Sequence, residues 1–311
     1  MPEAGQHLPV LLPEVLRGLA VRADGLYVDA TYGRGGHAQA ILDRLGPEGR
    51  LLAIDKDPQA VRVARLDHGS DGRFSVEQGS FAMLERLVGQ RGWCGKVNGI
   101  LLDLGVSSPQ LDDPQRGFSF LRDGPLDMRM DPEQGISAAQ WLGEAGEAEI
   151  TRVLFQFGEE RHARRIARAI VAARAQAPIA STGRLAELIA AVSPTREPGK
   201  HPATRSFQAI RIFLNRELDE LQDCLAQALE VLVAGGRLCV ISFHSLEDRI
   251  VKRFMRDHTR DQRFPADLPV PQHLLQPRLR LLGGALRASE GELRGNPRSR
   301  SATLRMAEKL A

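Results

Sequence analysis

Along the first hundred residues, short apolar runs alternate with stretches whose apolar residues recur every three or four positions. The runs fall at residues 26–30, 51–55, 74–77 and 100–104, and helical spacing occupies 38–45, 58–66 and 81–88 between them. A short, almost uninterrupted apolar run suits a strand covered on both faces, and strand-helix alternation is the order of a doubly wound parallel sheet. The pattern changes after Leu104. Residues 107–135 are turn-rich, and from there to about 232 the chain reads as successive helices without a strand signal. Within 161–174, Ala163, Ile166, Ala167, Ile170 and Val171 share one helical face, and Arg161, Arg164, Arg165 and Arg168 lie on the solvated opposite face. From Phe207 a long stripe (Ile210, Leu214, Leu218, Leu221, Leu225, Leu229, Leu232) runs to Ala234-Gly235-Gly236, where glycine ends it. Strands over 237–243 and 301–307 then resume the α/β alternation. The predicted architecture is therefore a discontinuous α/β domain, 1–112 and 206–311, split by a mostly helical insertion at 113–205. Residues 262–298, rich in proline, glycine and arginine, read as loop.

Composition adds limits to this picture. A chain of 311 residues with 42% apolar and 26% charged content can bury a sizeable core. Its longest apolar runs are far below the roughly 18 residues that a spanning helix needs, and its start lacks a basic segment followed by an apolar one, so a cytoplasmic protein with no membrane association is expected. Net charge is only +3, yet from Arg249 onward 14 basic residues face 6 acidic ones, and 37 of the 42 basic residues are arginines. Guanidinium forks suit phosphate, although genome composition raises arginine content too. Cys94, Cys224 and Cys239 form no CxxC pair, which speaks against a disulfide framework or a zinc knuckle. No metal-ligand cluster stands out.

The chemistry concentrates at two strand ends. Tyr27-Val28-Asp29-Ala30-Thr31 runs directly into Tyr32-Gly33-Arg34-Gly35-Gly36-His37, after which a helix begins. Glycines let backbone approach a ligand closely, and Asp55, 22 residues after Gly33, can accept hydrogen bonds from the two ribose hydroxyls of an adenosine cofactor. The glycine pattern also fits an NAD-dependent oxidoreductase, or a tight turn that binds nothing. The fourth strand ends in Asp103-Leu104-Gly105-Val106-Ser107-Ser108-Pro109-Gln110, at the carboxyl edge where open sheets bind ligands. A strand-end acid followed by a turn with serine, proline and amide groups favours a methyl donor.

These residues, together with Asp55-Lys56-Asp57-Pro58, Arg116-Gly117-Phe118-Ser119-Phe120, Asp127-Met128-Arg129-Met130, His201-Pro202-Ala203-Thr204-Arg205 and Ser242-Phe243-His244-Ser245-Leu246-Glu247-Asp248-Arg249, closely resemble the MraW (RsmH) family of bacterial 16S rRNA cytosine-N4 methyltransferases. The resemblance runs in order from His7 to the last predicted strand and is weakest over 262–296. It implies a class I, Rossmann-like methyltransferase fold with an inserted helical domain for substrate recognition, S-adenosylmethionine as donor, and a decoding-region cytosine of 16S rRNA in the small subunit as acceptor. Cofactor contacts carry over to Gly35, Gly36, His37, Asp55, Phe81, Asp103 and Gln110.

Cytosine N4 is a poor nucleophile because its lone pair is delocalised into the ring, so the amine must be positioned and its proton accepted. Asp103, then Ser108, are the expected catalytic groups, although the consecutive prolines common at this strand end in DNA N4-amino methyltransferases are lacking. No cysteine lies in a strand-end turn to attack C6, which argues against carbon methylation. A base that is single-stranded or turned out of its stack needs basic and aromatic partners. Lys200, His201, Arg205, Arg211 and His244 are the expected RNA contacts, with Phe118 and Phe120 available for stacking and Phe207 assigned to the core. His244 and Ser245 are chain neighbours pointing apart and cannot pair as in a hydrolase. Two other classes stay open: a non-catalytic rRNA-binding assembly factor and the oxidoreductase. The oligomeric state is open as well, with a homodimer among the options.

Overall fold

Each apolar run of the first hundred residues is a strand in the computed structural model, which describes residues 9–193, 201–261 and 276–311. In chain order the first segment holds α1 (Leu12–Leu19), β1 (Leu26–Asp29), α2 (Gly36–Leu42), β2 (Arg50–Asp55), α3 (Pro58–His68), β3 (Phe74–Gln78), a 3-10 turn (Phe81–Met83) leading into α4 (Leu84–Gly89), and β4 (Val97–Asp103). The helical stretch contains α5 (Ser108–Asp112), α6 (Ala138–Glu144), α7 (Glu147–Gly158), α8 (Ala163–Arg174), α9 (Thr182–Val192) and α10 (Thr204–Leu214). The chain returns through α11 (Glu217–Val231), β5 (Leu232–Ser242), α12 (Ser245–His258), β6 (Leu279–Leu281), β7 (Leu286–Arg287), α13 (Glu290–Gly295) and β8 (Thr303–Lys309).

Among the described residues the sheet runs β3-β2-β1-β4-β5-β8-β6, with β7 also paired to β8. Strands β1 to β5 are parallel, and β8 is antiparallel to β5. After β3 the chain crosses back to lay β4 beside β1, so the strand order reverses there, and the crevice at such a crossing lies at the carboxyl ends. Asp29 and Asp103 occupy those two ends. Alternation along each strand divides the apolar residues between the faces. Val28, Leu52, Ile54, Ile100, Leu102, Leu238 and Val240 pack with residues of α4, α11 and α12; Tyr27, Leu51, Ala53, Leu101, Cys239 and Ile241 pack with residues of α1, α2 and α3. A fold of this class, an α/β sheet interrupted by helices, is the one expected.

Several predicted boundaries move. The strand expected at 100 begins at Val97, because polar Asn98 and Gly99 broke the apolar run; Asn98 Oδ1 accepts a hydrogen bond from Leu26 N at 2.8 Å, and Gly99 leaves room for Leu19 and Tyr27. The stripe from Phe207 is not one helix. Arg216 takes a left-handed φ of 52° and separates α10 from α11, so the spacing persists across a break in the backbone. Ala234-Gly235-Gly236 does not end that helix either. It lies inside β5, where the pairing passes from Val97↔Leu232 to Gly99↔Arg237 and Gly235 has φ 81°. Of the predicted loop, 262–275 lies outside the described residues, while the remainder forms β6, β7 and α13.

The chain divides into two units, Met1–Gly105 with Leu218–Ala311, and Val106–Glu217. The sequence placed the insertion at 113–205. The structural unit is longer at both ends because Val106 and Leu111 pack against its core and Phe207, Ala209 and Ile210 of α10 belong to that core. The motif residues of this unit build its frame. Arg116 is buried and donates to the carbonyls of Arg129 and Met130, Asp127 pairs with Arg129 at 2.7 Å, and Asn215 binds the backbone of both Met128 and Met130. On α8, the arginine face is exposed and the apolar face buried, as the periodicity required.

Candidate active site

The turn after β1 is shaped by its glycines and by Asp55. Gly33 and Gly35 have φ of 55° and 75°, and a Cβ on Gly35 would collide with the Tyr32 hydroxyl. A Cβ on Gly36 would come within 3.0 Å of Pro9, so this glycine lets the N-terminal segment lie against the loop. Asp55, at the end of β2, accepts from Gly33 N at 2.7 Å through Oδ2 and from Asp57 N at 2.8 Å through Oδ1. Its carboxylate therefore holds the glycine loop in place. His37 opens α2 beside these groups. Its Nε2 lies 3.0 Å from the carbonyl of Val10, which can only accept, so Nε2 carries the hydrogen and Nδ1 faces Asp103 Oδ2 at 3.6 Å.

The β1 and β4 ends gather acid, with His37 the basic group beside them. Asp29 is buried, with Oδ1 accepting from Thr31 N at 3.1 Å and Oδ2 without any partner. Asp103 is 26% exposed as a side chain, yet its Oδ1 is closed to solvent and unpartnered, while its backbone N–H donates to the Thr31 hydroxyl at 2.6 Å. Burial, then the charges of Asp29 and Glu247, push the Asp103 carboxyl up to about 8. Burial, then the Asp55 charge, push Asp29 up to about 7. At the neighbouring β5 end, Ser242 Oγ is likewise buried and without a hydrogen-bond partner, while His244 Nε2 lies 3.1 Å from Glu247 Oε1. His244 caps α12, its Nδ1 accepting from Glu247 N, and buried Glu247 answers through Oε2 to Phe243 N at 2.8 Å and His244 N at 3.3 Å. Unsatisfied buried polar atoms are costly, and several at one sheet edge mark a place prepared for a polar ligand. A cationic ligand would relieve the surplus negative charge, and a sulfonium with its α-ammonium group is of that kind.

The other predicted site residues fall as follows. Phe81 begins the 3-10 turn after β3, partly buried against the core, with Ser80 capping the turn. Gln110 is buried in α5, and its Oε1 accepts from Ser107 N at 2.9 Å in a capping box; Ser108 is the first residue of that helix. Gln110 thus stiffens the turn after β4 in addition to any ligand contact. Lys200 lies outside the described residues. His201 is exposed, its ring 4.6 Å from that of Phe120, which in turn packs on Phe207. Phe118 is buried under Arg116 and is a core residue, which corrects its reading as a stacking platform. Arg205 reaches the carbonyl of Glu159. Arg211 is engaged in two 2.8 Å bonds to the carboxylate of Glu217, clamping the end of α10 to the start of α11, so its guanidinium serves this joint. Cys224 and Cys239 are buried, with burial raising both thiols, and Cys94 is exposed.

One family model matches the chain over residues 4–310. The chain belongs to the MraW methylase family. The ribosomal RNA small subunit methyltransferase H of Coxiella burnetii (strain RSA 331 / Henzerling II) is 58% identical over 305 residues, which cover 98% of this chain and 99% of its own. The protein of that name from Thioalkalivibrio sulfidiphilus (strain HL-EbGR7) is 58% identical over 309 residues, 99% of this chain and 98% of its own. Among solved structures, an rRNA methylase from Streptococcus thermophilus is 12% identical, covers 98% of this chain and 100% of its own, and has a TM-score of 0.43. For an MraW-family site, sequence reasoning missed two members of the acidic group, Asp29 and Glu247. The signal for Asp29 was available: an acid closing an otherwise apolar strand, as Asp103 does.

Proposed function

We propose that this chain transfers the methyl group of S-adenosylmethionine to N4 of a decoding-region cytosine in 16S rRNA, with Val106–Glu217 as the substrate-recognition unit. The observation that carries the reading is the pair of carboxylates, Asp29 and Asp103, at the crossing of β1 and β4, each with one oxygen closed to solvent and without a hydrogen-bond partner. Bound there, S-adenosylmethionine supplies an electrophilic methyl group on a positively charged sulfur. Gly35, Gly36 and His37 line its approach, Asp55 suits the ribose, and Phe81 and Gln110 suit the adenine. A dinucleotide would instead bring an anionic pyrophosphate towards Asp29, Asp103 and Glu247, which disfavours the oxidoreductase reading. Asp103 Oδ1 is the acceptor for the N4 proton: it is unpartnered, and its ordinary acidity is weakened by its surroundings. Buried Cys224 and Cys239 and exposed Cys94 offer no activated thiolate for carbon methylation. A ribosomal substrate would place the protein in the cytoplasm; among the described residues, no helix is long and apolar enough to cross a membrane.

The test incubates the protein with labelled S-adenosylmethionine and small subunits from a strain lacking this methylation, followed by mass spectrometry of the nucleosides. N4-methylcytosine is expected, with Asp103→Ala slower by at least roughly a hundredfold. Label on another atom would overturn the acceptor assignment. Donor binding without any transfer would favour a non-catalytic assembly factor.

A further inference from the structure

The sheet edge that carries the acidic group also carries arginines at its other end. β8 runs antiparallel to β5 with Thr303 opposite Ser242, so the start of β8 stands at the same edge as Asp29 and Asp103. β7 pairs with that start, Arg287 lying opposite Thr303. The 3-10 turn Pro297–Ser301 leads into β8 and packs on both β7 and α13. Glu292 of α13 accepts from Leu11 N at 2.7 Å, and the next residue back, Val10, holds His37. A continuous set of contacts thus joins this C-terminal strap to the glycine loop.

On the strap, Arg287, Arg294 and Arg300 are exposed, and none makes a side-chain hydrogen bond or ion pair with a described residue. Their neighbours are treated differently. Arg278 pairs with Glu230, Arg280 with Glu308 and Arg305 with Asp248. Glu292 is taken up by Leu11 N, and the exposed Glu290, one turn before Arg294 on α13, makes no ion pair with it, so the three cations are left without a direct partner. Protection of a sheet edge from unwanted pairing accounts for Arg287 on β7, but not for Arg294 on a helix and Arg300 on a turn. We infer that Arg287, Arg294 and Arg300 form a second RNA-contacting surface that binds backbone phosphates flanking the target nucleotide. This rests on the rRNA reading above. The strap carries positive charge, whereas the adjoining pocket is acidic and would repel a phosphate. A strand whose base enters the pocket therefore needs its backbone held outside it, by cations at the rim.

The experiment compares wild type, the triple variant Arg287→Ala/Arg294→Ala/Arg300→Ala, and the corresponding triple lysine variant. Binding is measured against salt on deproteinised 16S rRNA and on small subunits, with S-adenosylhomocysteine binding as the check of an intact donor site. Three lost phosphate contacts make the log–log salt slope shallower by about 2, and the lysine variant restores it. An alanine variant with the wild-type slope on deproteinised RNA overturns the inference. A loss seen on subunits alone also overturns it, by assigning the strap to a ribosomal protein. If the wild type methylates no cytosine, the proposed function falls, while the slope comparison still decides whether the strap holds RNA.

Discussion

Asp29 and Asp103 are held at acidities that make the donor's charge matter. With carboxyls raised to about 7 and about 8, both groups are largely protonated at pH 6 and become ionised as the pH climbs past 8. Only the ionised forms attract a sulfonium. Affinity for S-adenosylmethionine is therefore expected to rise on the order of tenfold or more between pH 6 and pH 8.5. S-adenosylhomocysteine, whose sulfur is neutral, should rise less, and Asp29→Asn should shrink the difference between the two ligands. Calorimetry at a series of pH values checks this; parallel pH profiles for both ligands in the wild type would show that the acids do not face the sulfur. His37 and Glu247 set the same balance from either side, one by facing Asp103 Oδ2, the other by its charge. Legibility at this scale was uneven. Asp103 and Asp55 stood out as strand-end acids beside glycine-rich or turn-forming residues. Asp29 carries the same strand-end signal, whereas Glu247 does not, because its role depends on which strand ends become neighbours.

At the scale of elements, Asn215 ties the break between α10 and α11 to the turn at Met128–Met130. Asn215 Oδ1 accepts from Met130 N at 2.8 Å, and its Nδ2 donates to the carbonyls of Met128 and Arg211, each at 2.8 Å. Met128 itself has φ 64°, a conformation that costs free energy unless its backbone groups are held. Replacing Asn215 by alanine leaves a buried N–H and a buried carbonyl short of partners. The expected loss is about 2–4 kcal/mol from the stability of the Val106–Glu217 unit. Fluorescence of Trp141, which lies in that unit's core, reports it when Trp93 of the other unit is replaced by phenylalanine. A midpoint unchanged in urea would mean that the break is stabilised by other contacts. The hydrophobic stripe gave no warning of this joint, since its three-and-four spacing continues through Asn215 and Arg216.

For the whole molecule, the decisive element is the last one. β8 lies between β5 and β6 and also pairs with β7; its Leu304 and Ala307 are fully buried, each in the core on a different face of the sheet. A chain shortened to end at Ser301 should lose S-adenosylhomocysteine binding and the cooperative unfolding of the sheet unit, though the residues named for the donor all remain. Retained binding, measured by calorimetry, would show that β5 can serve as an edge. The helical unit has its own core and should keep its Trp141 signal in the same truncated chain.

Periodicity and strand-end chemistry, both local, were enough to predict an α/β sheet, an inserted helical segment, a glycine turn feeding α2, and acids at the ends of β2 and β4. Each depends on residues within a few positions of one another. What only the tertiary structure decided involves residues distant along the chain. It places Asp29 beside Asp103 through the crossing of β1 and β4, commits Arg211 to Glu217 and Phe118 to a core, and brings the arginine strap to the donor edge through an antiparallel β8. Those outcomes follow from strand order and from which buried group finds a partner, and neither is written in the spacing of apolar residues.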